Sequence, residues 1–103
     1  MKTVGTSKNE SKALRMKAAN LIQESLHPDE VATSKDGTLT CRWVYFFYNG
    51  RDDGDYAGKV MDLLTAQGID HDITDHGAEW NSYHKNATVA QRPHFYVEVK
   101  VAA

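Results

Sequence analysis

The segment His94-Phe95-Tyr96-Val97-Glu98-Val99-Lys100-Val101 alternates without a break, apolar at Phe95, Val97, Val99 and Val101 and polar or amphipathic at His94, Tyr96, Glu98 and Lys100. Successive side chains of a strand point to opposite faces, so this pattern requires a sheet with one face buried and the other facing water. In a helix the same valines would scatter around the circumference. The chain therefore has to build a sheet and find something to cover one side of it.

The cover is legible upstream. Ser7-Lys8-Asn9-Glu10 has the S-x-x-E spacing of a capping box, and Leu14, Ala18, Leu21, Ile22, Ser25 and Leu26 recur at helical spacing, with Lys12, Arg15 and Gln23 turned to water. Pro28 disfavours helical geometry at His27, so a helix over 8–27 is expected. Asp53 or Asp55 can cap a second helix that carries Tyr56, Val60, Leu63 and Leu64 inward and closes at Gly68.

Two further strands and an edge complete the set. Residues 30–34 read as a short strand that turns at Lys35-Asp36-Gly37 into a long one over 38–48. That long strand places Leu39, Cys41, Trp43, Tyr45 and Phe47 on one face and Thr40, Arg42, Val44, Phe46 and Tyr48 on the other, and its two apolar faces predict a central position. Residues 69–76 alternate Ile69, His71 and Ile73 against Asp70, Asp72, Thr74 and His76, the pattern of an edge strand guarded by charge. Residues 77–92 show no periodicity and read as a long loop. The order αββαββ predicts an α+β two-layer sandwich, a four-stranded, mainly antiparallel sheet with both helices on one face. At 103 residues, 1–103 is one domain, with 1–7 expected as a flexible tail.

Charge and cysteine content narrow the functional classes. The net charge is −2, yet residues 1–17 carry five cations against one carboxylate, and residues 49–80 carry two cations against eight. The chain is a dipole with weak bulk attraction for nucleic acid. Cys41 is the single cysteine, so no internal disulfide forms, and no apolar run follows the basic N-terminus; a cytoplasmic protein is expected. Asn86-Ala87-Thr88 matches a glycosylation sequon that such a compartment leaves unused.

Motifs for catalysis fail on inspection. No G-x-S-x-G, P-loop or G-x-G-x-x-G is present, and Cys41, between Leu39 and Trp43, reads as an inert core thiol. Residues 49–55 imitate a calcium loop but place Arg51 and Val60 where ligands belong. Asp70-His71, Trp80-Asn81 and His84 are spaced too closely for a histidine–asparagine nuclease unit. His71, His76, His84 and His94 are weak metal candidates, since neither a helical i, i+4 pair nor a C-x-x-C occurs. No cofactor is implied.

Binding is the reading that remains. With the helices on one side, Arg42, Phe46, Tyr48, Tyr96 and Lys100 share the open sheet face, with Trp80 and Tyr83 in the long loop as further anchors. Asp52, Asp53 and Asp55 form an acidic patch suited to a basic partner. The expectation is a small non-enzymatic module that binds a protein, of the kind a phage or plasmid carries to block a host or immune complex. The alternative is single-stranded nucleic acid stacked on the aromatic face, which the acidic 49–80 segment opposes. A third is a metal-dependent enzyme at the histidines. Edge strands and Val101 leave self-association open.

Overall fold

The computed structural model describes residues 8–44, 54–79 and 86–101. Within them the order is α1 (Lys8–Leu26), β1 (Glu30–Thr33), β2 (Leu39–Val44), α2 (Tyr56–Ala66), β3 (His71–Glu79), a 3-10 turn (Val89–Gln91) and β4 (His94–Val101). The expected α+β sandwich forms. Its sheet has the order β1-β2-β4-β3, with every neighbouring pair antiparallel. β2 and β4 are central, and β3 is an edge. β4 inserts between β2 and β3, which puts one side of β4 against β2 and the other against β3.

The buried core unites Ala18 and Ile22 of α1, Val60 and Leu64 of α2, Leu39, Cys41 and Trp43 of β2, and Val97 and Val99 of β4. One parity of each central strand is thus covered by both helices, as the alternation requires. Trp43 ties the layers together. Its ring stacks on Tyr56 with centroids 4.2 Å apart, and its Nε1 donates 2.9 Å to the carbonyl of Leu26 in the last turn of α1. A helix leaves its last four carbonyls without intrahelical partners, so this bond satisfies one of them from the core.

Four details depart from the sequence reading. α1 stops at Leu26, and His27 takes the left-handed conformation at φ +52. Ser25 is exposed, while Ile22 and Leu26 on either side of it pack toward the core. β3 runs on to Glu79, three residues into the expected loop, because a bulge at Asp75/Gly77 breaks the alternation without ending the pairing. The 77–92 segment also carries the 3-10 turn, opened by a Thr88/Gln91 capping box, and this turn rests against β2. Asp55 stands at the N-cap position of α2 but makes no side-chain capping hydrogen bond, and the C-cap is Gln67, with Gly68 following it at φ +69. Ser7, residues 45–48, Asp52, Asp53, Trp80, Tyr83 and His84, to which the sequence assigned roles, lie outside the described residues. Among the described residues no helix is long and apolar enough to cross a membrane.

Candidate partner-binding face

The sheet face opposite the helices carries a packed polar layer centred on Tyr96. Arg42 of β2 lies across from Tyr96 of β4 in register, with its guanidinium carbon 4.4 Å from the centroid of the phenol ring. His76 of β3 stacks on the same ring at 4.5 Å, with the two planes 14° apart. β2 and β3 flank β4 on opposite sides, so the phenol stands between a cation and an imidazole. Each flanking group is held in turn by a carboxylate. Arg42 Nη1 donates to Glu30 Oε1, its register partner on β1, and His76 Nε2 bonds Glu98 Oε1 two residues along β4.

The bulge puts His76 there. Pairing runs from His71↔Val101 to Asp75↔Val97 and resumes at Gly77↔Tyr96, which leaves His76 as the extra residue beside Tyr96. The turn of the chain depends on Gly77 at φ +70, whose N–H donates 2.8 Å to Asp75 Oδ1. Other L residues enter that conformation at a cost of about 1–2 kcal/mol.

Burial sets the strength of the layer. The side chain of Arg42 is 18% exposed and that of Glu98 33%, so neither contact is fully hydrated. Partial burial, and after it the Glu98 carboxylate, push the Tyr96 hydroxyl above its ordinary value. A phenol is neutral and able to donate at physiological pH, and these surroundings favour that form. Two buried nitrogens of this layer, Arg42 Nε and His94 Nε2, have no hydrogen-bond partner among the described residues.

His94 departs from expectation. It has the solvent-side parity of Tyr96 but is fully buried, with Nδ1 2.5 Å from the Arg92 carbonyl oxygen, Nε2 3.4 Å from Glu79 Oε2 and its ring 6.3 Å from that of Tyr96. The face is closed at this end and open toward Lys100, which lies opposite Asp72 on β3.

Of the residues singled out in the sequence, Arg42 and Tyr96 are brought into contact. Lys100 shares their face but lies four residues, about 13 Å, along β4. Asp55 sits at the start of α2, in the helical layer, and is not part of the face. Phe46, Tyr48, Trp80, Tyr83, Asp52 and Asp53 lie outside the described residues. Of the metal candidates, His84 lies outside the described residues; His71 has the core-side parity of Ile73 and bonds the Ile69 carbonyl through Nδ1 at 2.8 Å, whereas His76 and His94 flank Tyr96 on the other face. Among the described residues no three His, Cys, Asp or Glu side chains are grouped to hold a metal ion. Cys41 is fully buried, and burial pushes its thiol up to about 12.

Glu30, His76 and Glu98 were not recognised as members of the layer. Parity placed His76 and Glu98 on the face; their meeting at Tyr96 depends on how β3 and β4 align. No protein-family model, curated protein or solved structure matches this chain.

Proposed function

We propose that this chain is a small non-enzymatic binding module that docks a protein partner on the open sheet face around Arg42, Tyr96, His76 and Glu98, and acts by occupying that partner's surface. An accessory or inhibitory role toward a larger complex fits such a mode of action. The observation that carries the reading is the Arg42–Tyr96–His76 stack clasped by Glu30 and Glu98. It is a rigid, half-buried patch with an aromatic centre and both signs of charge, the composition of protein interfaces, where Tyr and Arg dominate the energetics.

The same geometry weighs against nucleic acid. Base stacking needs an uncovered ring face, and both faces of Tyr96 are taken by side chains of this chain. Phosphate binding needs unpaired cations beside the stacked base; Arg42 is already neutralised by Glu30, and Lys100 lies about 13 Å away along β4.

The test is affinity capture from the native host's lysate with and without nuclease, comparing the natural chain with Tyr96→Ala. A protein that survives nuclease and binds Tyr96→Ala about 30-fold more weakly, the ~2 kcal/mol of a hot spot, supports the reading. Equal affinity for both chains, or capture that nuclease abolishes, overturns it.

A further inference from the structure

A second surface lies on the other side of the sheet and uses none of the residues of the open face. β1 is an edge strand, and Ser34 N–H donates 2.9 Å to Thr38 O, which fixes the alternation of the ladder. With Ala32 opposite Thr40 and Glu30 opposite Arg42, the residues of that parity turn their amides toward β2. Val31 and Thr33 then turn their N–H and C=O groups outward, along an edge with no neighbouring strand among the described residues.

Beside this edge is a groove of about 210 Å³ between α1 and the β1–β2 hairpin, lined by Lys12, Arg15, Met16, Ala19, Thr33 and Leu39. Met16 is 57% exposed, so its side chain is accessible to an apolar group entering the groove. Thr33 and Leu39 are register partners on the helix side of the sheet, so the next strand beyond β1 would point its alternate side chains into this groove. Lys12 and Arg15 line it, the Arg15 guanidinium lying over Gly37 of the β1–β2 turn, and among the described residues neither has an ion-pair partner.

We infer that β1 accepts an extended acidic peptide segment of a partner protein as a fifth strand, with one apolar side chain seated between Met16 and Thr33 and flanking carboxylates paired with Lys12 and Arg15. Main-chain bonds to Val31 and Thr33 supply affinity, the groove selects an apolar residue, and the two cations select acidic neighbours. A basic segment is rejected by like charge.

The probe is a capped peptide about eight residues long, a common strand length, in which glutamate alternates with valine or leucine. It is titrated into the isotope-labelled full chain and followed by amide NMR and hydrogen exchange. Expected are saturable shifts along β1 and slowed exchange at Val31 and Thr33. The charge-reversed pair Lys12→Glu/Arg15→Glu should weaken binding about tenfold, since each exposed pair contributes up to ~1 kcal/mol. Thr33→Pro removes an outward amide without touching the ladder to β2, and should weaken it too; if Thr33→Pro loses dispersed amide signals, the charge-reversed chain decides alone. Absence of saturable shifts at about 1 mM peptide, equal affinity for a lysine-substituted peptide, or shifts confined to β3 overturns the inference. Tyr96→Ala should bind the peptide unchanged. Loss of peptide binding in that variant assigns the signal to the open face and overturns the edge site, whereas failure of the open-face test leaves this result standing.

Discussion

Replacing Trp43 by Phe tests whether the two layers are joined where the structure joins them. Trp43 is 3% exposed, stacked on Tyr56 at 4.2 Å, and donates 2.9 Å to the carbonyl of Leu26. Phenylalanine keeps a ring in the stack but cannot donate. The Leu26 carbonyl loses that partner, a net loss of about 1 kcal/mol for a typical hydrogen bond. The smaller ring also removes roughly 40 Å² of buried apolar surface, worth about 1 kcal/mol at ~25 cal/mol/Å². The sum is about 2 kcal/mol, which for a domain of this size lowers Tm by roughly 8–16 °C. Urea and thermal unfolding followed by far-UV circular dichroism measure it directly. Because Trp43 faces the helices, the amide spectrum around Tyr96 should stay in place in the folded variant. A loss below about 0.5 kcal/mol, the ordinary scatter of neutral surface substitutions, would refute both the bond and the close packing that define this joint.

Other outcomes follow from single features. Asp36 accepts bonds from the Ser34 hydroxyl and, at 3.0 Å, the Thr38 amide, and these hold its carboxyl down at about 2, from an ordinary 3.8. Its contribution to the β1–β2 turn is therefore complete above pH ~4 and is lost as pH falls through about 2; a carboxyl NMR titration with a midpoint near 4 contradicts this. The Cys41 thiol should react with a disulfide reagent at pH 8 far more slowly in the folded chain than in urea, given its burial and its rise from 9.0 to about 12; equal rates would show an open core. Gly77→Ala meets no atom within 4 Å, so its penalty is backbone strain alone, about 1 kcal/mol by thermal unfolding. Its amide spectrum should show the His76 ring-current shifts at Tyr96 altered; unchanged stability and spectrum would remove the bulge as the device that seats His76.

Much of this fold is written in short-range pattern. The alternation over 94–101 determines a strand with one dry face, and the heptad-like spacing from Leu14 to Leu26 determines the helix that covers it, because period two and period 3.6 are properties of neighbouring residues. The same arithmetic identified β2 as central and β3 as a charged edge. Boundaries were less legible. The glycine at 77 reads locally as a stop, yet the strand passes through it, since a glycine with positive φ can end a strand or bulge it and only the partner strand decides which. His94 shows the same limit: its parity predicts exposure, yet its ring is buried, with Nδ1 against the Arg92 carbonyl and Nε2 3.4 Å from Glu79 of β3.

The sequence alone therefore determined the two helices and four strands, the parity of their side chains and the presence of Arg42 and Tyr96 on the face left uncovered. Only the tertiary structure decided that β4 lies between β2 and β3, that Arg42 and His76 close on Tyr96 from opposite sides, and that Glu30 and Glu98 clasp them. The reason is physical. Parity is set by the pleat of a single strand, whereas contact between strands is set by order and register, and these follow from how 103 residues bury one common core.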